Sequence, residues 1–305
     1  MARYIVTGGA GFIGSHLTDK LLAQGHEIII IDDLSVGRHC PPNARLVKED
    51  LRDYQAIKPF FTDIDGCFHL AAIPSVVSSI DHWFDLHDIN LQAGLNVMKL
   101  AHLAGNIPVV YASSCAVYGN AQTLPLMEAM HIQPLSSYGC DKLSLELNAY
   151  FMAKLHALPV MGLRFFNVYG PRQNPASPYA GVISLFIDNL LNEHAVTIYG
   201  DGEQTRDFIY VEDIVAGLIK AMQIVDCEGE VINLCSGKRT SVQTLAHEIA
   251  SLMNKKLQIN YETERSADVK HSLGSVKKMH QFGFQAKTSL SQGLQHTIEY
   301  MRQHK

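Results

Sequence analysis

Apolar runs and stretches with helical spacing alternate along the first half of the chain. Tyr4–Val6 form a short apolar run, and Leu17, Leu21 and Leu22 follow at the spacing of one helix face. The next run, Glu27–Asp32, holds an unbroken block of isoleucines and has no polar face. A strand without a polar face is buried on both sides, which is typical of a parallel sheet covered by helices.

Later apolar runs continue this pattern and predict the rest of the sheet. Further strands are expected at Arg45–Lys48, Gly66–Ala71, Pro108–Ser113 and Pro159–Arg164, and the clearest helical stretch between them is Leu86–Ala104. Regular alternation of strands and helices predicts an α/β protein with a doubly wound parallel sheet, a Rossmann fold. Beyond about residue 166 loops and shorter elements dominate, which predicts a second, smaller α/β lobe.

The first strand and helix are joined by a glycine-rich turn. Gly9, Gly11 and Gly14 satisfy the GxGxxG dinucleotide fingerprint, and Asp32 ends the second strand at the position of the ribose-binding acid. The helix N-terminus would hold a pyrophosphate, and a carboxylate at Asp32 favours NAD over NADP because it repels a 2′-phosphate. A glycine-rich turn that binds nothing is the alternative, and the flanking strand, helix and distal Asp32 argue against it.

Composition narrows the function classes. The formal net charge of the 305 residues is −5 and the basic residues are scattered, which argues against a nucleic-acid surface. The chain starts directly with a strand and has no run of membrane-spanning length, so we expect a cytosolic protein. The 6 cysteines and 15 histidines lack metal-site spacing; we expect reduced thiols and no metal.

Tyr138 and Lys142 are four residues apart in a segment that predicts a helix starting near Ser137. A nearby ammonium is expected to lower the pKa of a tyrosine from about 10 and so make it a better base. The pairs Tyr54/Lys58 and Tyr150/Lys154 have the same spacing. Only Tyr138 follows a strand that ends in two serines, Ser113 and Ser114, at the sheet edge where α/β proteins bind ligands; for the other pairs, solvated helix faces are favoured.

Together these segments resemble the extended short-chain dehydrogenases/reductases, and among them the nucleotide-sugar epimerase/dehydratase family. The resemblance covers nearly the whole chain. The matching segments are TGGAGFIG (7–14), DDLS (32–35), DLRD (50–53), HLAA (69–72), SSCAVYG (113–119), YGCDK (138–142), LRFFNVYGPRQ (163–173), GDGEQTRDFIYVEDI (200–214) and RSADVKHS (265–272). The resemblance implies an NAD-binding domain at 1–165 with a return segment at about 206–235, and a nucleotide-sugar-binding lobe at 166–205 and 236–305.

The resemblance also assigns roles to individual residues. Ser114 would contact the sugar 4-oxygen, Tyr138 would act as acid and base, and Lys142 would contact the nicotinamide ribose. The remaining NAD-binding positions would be Gly8, Gly11, Phe12, Ile13, Gly14, Asp32, Asp33, Ser35, Gly37, Asp50, Leu51, Leu70, Ala71, Ala72, Asn90, Ser113 and Phe165. The substrate positions would be Ser114, Asn167, Val182, Tyr199, Arg206, Arg265, Asp268 and Ser272. Without the motifs, surface salt bridges would be the simpler interpretation of the two arginines.

Two positions narrow the activity that the resemblance implies. Family members that eliminate water or decarboxylate carry acidic residues just after the Ser114 position, whereas this chain has Cys115 and Ala116, which cannot serve as a second acid and base. Oxidation and re-reduction at one carbon, an epimerisation, is what remains. Ser272 stands where members specialised for glucose and galactose carry tyrosine, so space is expected for an N-acetyl group. Pro74 stands where some family epimerases have a lysine near the nicotinamide.

The expected activity is therefore 4-epimerisation of UDP-N-acetylglucosamine and UDP-N-acetylgalactosamine, with UDP-glucose and UDP-galactose as further candidates. Tightly held NAD would take a hydride from C4 and return it to the other face of a 4-keto sugar. A UDP-hexuronate 4-epimerase, an NAD-dependent nucleotide-sugar oxidoreductase and a non-catalytic NAD-binding relative remain alternatives. By family analogy we expect a homodimer through the helices containing Gln92–Leu103 and Tyr138–Leu155, although packing on the sheet explains their apolar residues equally well.

Overall fold

The computed structural model describes residues 1–74, 83–177, 180–264 and 269–304, and the chain forms two compact units. The first unit consists of Met1–Gly119, Ile132–Phe165 and Val215–Ile232. The second consists of Asn120–His131, Phe166–Ile214 and Asn233–Lys305. The return segment is thus shorter than the predicted 206–235, and residues 120–131 group with the second unit instead of the first.

Within the described residues the strands and helices alternate through the first unit and become shorter in the second. The strands are β1 Arg3–Thr7, β2 Glu27–Ile31, β3 Arg45–Val47, β4 Gly66–His69, β5 Val109–Ser114, β6 Val160–Phe165, β7 Asn167–Tyr169, β8 Val196–Tyr199, β9 Thr205–Tyr210, β10 Val231–Leu234, β11 Arg239–Ser241 and β12 Ile259–Glu262. The α-helices are α1 Phe12–Ala23, α2 Tyr54–Ile57, α3 Trp83–His87, α4 Ala93–Leu103, α5 Ser137–His156, α6 Val182–Leu191, α7 Val211–Ile224, α8 Val242–Met253, α9 Lys277–Gln281 and α10 Leu290–Gln303.

The first unit is built on a sheet with the strand order β10-β6-β5-β4-β1-β2-β3. Every pair from β6 through β3 in this order is parallel. The chain winds outward from β1 in both directions, so the strand order reverses between β1 and β4. This arrangement confirms the predicted doubly wound α/β fold, and ligands bind such sheets at the carboxyl ends of the strands beside the reversal.

The core explains why β2 carries isoleucine at every interior position. Ile28, Ile29, Ile30 and Ile31 are at most 4% exposed, which matches a strand covered on both faces. On one face the cluster continues through helix α4, whose Val97 is fully buried. Burying apolar surface at about 25 cal/mol per Å² makes this layer the main stabilising contribution to the unit.

The helix expected at Leu86–Ala104 is interrupted. Helix α3 ends at His87, a π-helical turn spans Asp88–Gln92, and α4 begins at Ala93. The turn contains Asn90, which is completely buried and whose amide accepts from the Ile73 N–H at 2.8 Å and donates to the Ile73 carbonyl at 3.3 Å. The extra residue in the turn brings this side chain to the segment after β4, as π-turns often do at functional sites.

The second unit holds two small sheets and several helices. In one sheet β9 pairs in parallel with β7 and antiparallel with β11, and in the other β12 pairs in parallel with β8. Helices α6, α8 and α10 pack against one another. Among the described residues of both units, none of the helices combines the length and apolar character that crossing a membrane requires.

Candidate active site

The glycine-rich turn brings helix α1 into direct contact with the end of β1. A Cβ atom added to Gly14 would lie 2.1 Å from the Gly8 carbonyl oxygen, so the helix and the turn touch through backbone atoms. Gly8 has a φ of +66°, and a Cβ there would lie 2.7 Å from the Ala71 nitrogen. These glycines therefore allow a close packing of helix, turn and β4 segment that no other residue permits.

Gly11 is different, because among the described residues its Cβ would have one close neighbour, the Gly8 oxygen at 3.2 Å. Its φ of −78° is open to any residue. It precedes the first turn of α1, where the backbone N–H groups have no partner within the helix. An anion that approaches the turn here meets those N–H groups and the positive end of the helix dipole, so the site fits a pyrophosphate.

Asp32 ends the neighbouring strand and is held rigidly. Its two carboxylate oxygens accept hydrogen bonds from the Ala10 N–H at 3.0 Å and the Leu34 N–H at 2.9 Å. Burial raises the pKa of Asp32, and these two hydrogen bonds act in the opposite direction. Each oxygen keeps a further lone pair, so the side chain can accept hydrogen bonds from ribose hydroxyls. The donor set and the glycine turn therefore fit NAD.

The predicted cofactor residues all lie in the first unit, and most of them lie near strand ends or at the start of α1. Gly8 and Gly11 follow β1, Phe12, Ile13 and Gly14 begin α1, Asp32, Asp33, Ser35 and Gly37 follow β2, Asp50 and Leu51 follow β3, Leu70, Ala71 and Ala72 follow β4, Asn90 lies in the π-turn, Ser113 lies in β5, and Phe165 ends β6. Two acids are engaged locally, since Asp33 accepts from Ser35 and Asp50 pairs with Arg52 at 2.6 Å.

The structure brings Ser114, Tyr138 and Lys142 together where β5 meets α5. The Lys142 ammonium donates to the Ala112 carbonyl at 2.9 Å and lies 5.8 Å from the centre of the Tyr138 ring. Ser114 hydrogen-bonds to Tyr138, and its oxygen also accepts from the Ala116 N–H at 3.1 Å. Tyr138 is 9% exposed and Lys142 is 1% exposed, so these two side chains are shielded from solvent.

The expectation that Tyr138 has a pKa below the ordinary tyrosine value of about 10 is wrong. Burial raises the pKa of Tyr138 to about 12, and the hydrogen bond from Ser114 offsets only part of this effect. Burial also lowers the pKa of Lys142 to about 8, despite the nearby carboxylates Asp141 and Glu146. For both groups, desolvation therefore outweighs the opposing effects of their neighbours.

The other Tyr/Lys pairs differ from this group because their lysines, Lys58 and Lys154, are exposed. Lys154 lies over the exposed ring of Tyr150 and forms an ion pair with Glu228. Tyr54 instead has the Lys99 ammonium 4.9 Å from its ring centre. Helix position and burial, not spacing alone, thus distinguish Tyr138 and Lys142.

Apart from Ser114, the predicted substrate residues belong to the second unit. Arg206 lies on β9 and donates to the Thr205 carbonyl at 2.9 Å, and the Ser272 N–H donates to that same carbonyl at 3.0 Å. The Ser272 hydroxyl and the Asn167 side-chain oxygen are buried without hydrogen-bond partners among the described residues, so both remain available to a ligand. Val182 begins α6 and Tyr199 ends β8. Arg265 and Asp268 lie outside the described residues.

Sequence reasoning missed several buried polar groups around Lys142. His69 on β4 hydrogen-bonds to Thr7 at 2.8 Å, and burial lowers its pKa to about 3. Asp141 is paired with His87 at 2.7 Å, and Glu146 with Arg164. A helical wheel from Tyr138 would have placed Glu146 on the same face as Lys142, but its partner on β6 has no local signal. Metal-binding clusters of three or more His, Cys, Asp or Glu residues are absent from the described part of the chain.

A glycine-rich dinucleotide-binding turn together with a Ser–Tyr–Lys group on the same sheet defines a short-chain dehydrogenase/reductase of the extended type. The family model described as NAD dependent epimerase/dehydratase matches residues 4–235. The chain belongs to the NAD-dependent epimerase/dehydratase family, and NAD is its cofactor.

Individual relatives show which activities occur among similar chains. A UDP-glucose 4-epimerase of Mycolicibacterium smegmatis is 34% identical over 313 residues, covering 98% of each chain. A UDP-N-acetyl-α-D-glucosaminuronate decarboxylase of Bacillus cytotoxicus is 33% identical over 321 residues, covering 99% of this chain and 98% of the relative. The solved UDP-N-acetylglucosamine 4-epimerase of Methanobrevibacter ruminantium, in complex with UDP-N-acetylmuramic acid, superposes with a TM-score of 0.95 at 35% identity, covering 100% and 99% of the two chains. The family is thus certain, and its members differ in reaction and sugar.

Proposed function

We propose that the protein is a UDP-sugar 4-epimerase that interconverts UDP-N-acetylglucosamine and UDP-N-acetylgalactosamine. The observation that carries this proposal is the group formed by Ser114 and the buried Tyr138 and Lys142, together with Cys115 and Ala116 directly after Ser114. One group that moves one proton suffices for oxidation and re-reduction at a single carbon. Elimination of water would need a second acid and base at the adjacent carbon.

In the proposed mechanism, bound NAD supplies the hydride acceptor and donor at the sugar C4. Tyr138 takes the proton of the 4-hydroxyl and later returns it to the 4-keto oxygen. Ser114 hydrogen-bonds to the same oxygen and to Tyr138. The Lys142 ammonium, fixed on the Ala112 carbonyl, favours the phenolate of Tyr138 when the proton has moved. Arg206 holds the diphosphate while the flat keto sugar turns.

The preference for an N-acetylated sugar rests on Ser272. Its side chain is small, 5% exposed, and has a hydroxyl without a partner among the described residues. That hydroxyl suits a polar substituent better than a bare hydrocarbon surface, because an unpaired buried hydroxyl is costly. We expect Ser272→Tyr to depress turnover of the N-acetylated substrate far more than that of UDP-glucose; equal losses on both would contradict the pocket argument.

A UDP-hexuronate substrate is the second candidate, since the Bacillus cytotoxicus relative is named for a UDP-linked uronate. One experiment separates the candidates: the purified protein is incubated without added NAD with UDP-N-acetylglucosamine, UDP-galactose or UDP-glucuronate, and products are identified by proton NMR. We expect a 4-epimer of the N-acetylated sugar at the highest rate. A pentose product would show decarboxylation, and no product from any substrate after NAD is supplied would refute the proposed activity.

We also propose a homodimer through helices α4 and α5. Five large apolar side chains on these helices are exposed by 45–73%: Leu103, Leu147, Tyr150, Phe151 and Leu155. On α5 they recur at helical spacing and form one stripe, as expected for a helix face that packs on another helix. The combined change Leu147→Glu and Phe151→Glu should convert a dimer to a monomer in light scattering; a wild-type protein that is already monomeric would refute the proposal.

A further inference from the structure

A buried polar network lies directly behind the Ser–Tyr–Lys group in the first unit. Arg164 donates to both carboxylate oxygens of Glu146, from Nε to Oε1 at 2.9 Å and from Nη2 to Oε2 at 2.7 Å. Its Nη1 donates to the Tyr118 hydroxyl at 2.8 Å. The Ser113 hydroxyl donates to Glu146 Oε1 at 2.5 Å. The side chains of Arg164 and Glu146 are 4% and 5% exposed.

These four residues come from four different elements that together frame the reacting groups. Ser113 lies on β5 immediately before Ser114, and Glu146 lies on α5 one turn after Lys142. Tyr118 ends the 3₁₀ turn that starts after Ser114, and Arg164 lies on β6 beside Ser113 in the sheet register. The network therefore ties the strand that carries Ser114 to the helix that carries Tyr138 and Lys142.

Stability alone is a weak reason for such a pair. Removing two charges from water costs several kcal/mol, and well-packed apolar residues in their place are often as stable. A bidentate arginine does hold its partner in a defined position, because two parallel hydrogen bonds fix both the distance and the orientation of the carboxylate relative to the guanidinium. In this protein the fixed carboxylate belongs to the catalytic helix.

We propose that Glu146 and Arg164 are positioning residues that set the register of α5 against β5, so that Tyr138 meets Ser114 and the Lys142 ammonium meets the Ala112 carbonyl. This inference rests on the proposed function, in which Tyr138 and Lys142 move the proton. Glu146 also has an electrostatic role that an apolar residue could not fulfil, because its negative charge faces Lys142.

The charged surroundings of Lys142 predict how this role appears in a pH profile. Asp141 and Glu146 on its own helix favour the ammonium, and His69 on β4 is the titratable neighbour across the sheet. Tyr138 is the remaining titratable neighbour on the helix. Burial lowers the pKa of Lys142 to about 8, so loss of the Glu146 charge moves the deprotonation of Lys142 to lower pH.

The primary test is Glu146→Gln, compared with Glu228→Gln as a matched control. Glu228 pairs with Lys154 on the exposed face of the same helix, so this control removes a carboxylate without touching the network. For Glu146→Gln we expect kcat to fall by at least about tenfold with KM within about twofold, as for a small displacement of reacting groups. The alkaline limb of kcat should move to lower pH, and the amount of co-purified NAD should stay unchanged.

Arg164→Lys provides a second variant in case Glu146→Gln does not fold. It keeps both charges but cannot bind both carboxylate oxygens and Tyr118 together, so kcat should fall while the alkaline limb stays in place. An unshifted limb in Glu146→Gln, or wild-type kcat in folded Arg164→Lys, would overturn the inference. A wild-type protein inactive on every nucleotide sugar would instead refute the proposed function, and the positioning role with it.

Discussion

Gly11 and Gly14 belong to the same fingerprint, yet the structure predicts opposite effects when each is changed to alanine. At Gly14 the new Cβ would lie 2.1 Å from the Gly8 oxygen and 2.8 Å from both the Gly8 carbonyl carbon and the Gly9 Cα. The close end of normal C···O contacts is about 3.3 Å, so roughly 1.2 Å of separation is missing. All three neighbours are backbone atoms, and α1 must therefore move away from β1.

At Gly11 the close neighbour that the described part of the chain offers is the Gly8 oxygen at 3.2 Å, and a shift of a few tenths of an ångström relieves this contact. Since φ at Gly11 is −78°, alanine adopts this backbone conformation without strain. By lowering the conformational entropy of the unfolded chain, alanine should stabilise the fold by about 0.4–1 kcal/mol. Its methyl group would, however, project where the pyrophosphate approaches. Gly11→Ala should thus lose NAD without losing the fold, whereas Gly14→Ala should lose about 1–3 kcal/mol of folding free energy or more.

Two measurements on the same samples test this difference. Nucleotide released by acid precipitation is quantified by absorbance, and urea unfolding is followed after the nucleotide has been removed. We expect Gly11→Ala to release little NAD and to unfold at the wild-type urea concentration or slightly above it. Full NAD content in Gly11→Ala would refute the role of Gly11 in NAD binding, and an unchanged unfolding midpoint in Gly14→Ala would refute the role of Gly14 in helix packing.

Three further predictions follow from the site geometry. Tyr138→Phe should keep its fold and its NAD but lose about 10²–10⁴-fold in kcat, and substantial residual epimerisation would remove Tyr138 from the acid/base role. The Lys142 side chain has a pKa of about 8 in the folded protein and of 10.5 in the unfolded chain, so the free energy of unfolding of the wild type should rise between pH 8 and 10.5. Lys142→Met removes this buried charge and should be more stable than the wild type at pH 7. In thermal unfolding this difference should have disappeared by pH 10. Asp207 follows Arg206 on β9 and accepts hydrogen bonds from Ser236, Gly237 and Gly274. Asp207→Asn should therefore raise KM for the nucleotide sugar and leave the NAD content unchanged. A wild-type KM would show that these hydrogen bonds do not support Arg206.

The sequence pattern was sufficient to predict those elements that are determined by residues close together in the chain. The isoleucine run of β2, the glycine turn and the Tyr138/Lys142 spacing each determine a structure within a few residues, and the structure contains all three. Strand β10 was missed because its apolar run is only four residues long and is interrupted by Asn233. Its identity as a strand comes from its place beside β6 in the sheet, and β6 is far away in the chain.

The parts of the site that sequence reasoning missed are the ones that depend on burial and on pairing across elements. The charge of Lys142 is visible in the sequence, but the desolvation that raises the pKa of Tyr138 is a property of the packed sheet and helix. Glu146 and Arg164 are residue types that usually lie on the surface, and their burial as an ion pair depends on the packing of α5 against β6. The π-turn at Asp88–Gln92 follows from the buried amide of Asn90, which periodicity alone could not reveal.

The place of β10 at the edge of the large sheet has a consequence for how the chain emerges from the ribosome. Strand β6 is buried along its whole length, but its edge partner is made only after more than 60 further residues have been synthesised. Until then β6 presents unpaired backbone N–H and C=O groups along one edge, a feature that invites association with other chains. A nascent chain of this protein is therefore prone to aggregate until Val231–Leu234 have been added. A fragment that ends at residue 165 lacks β10 and would keep this unpaired edge.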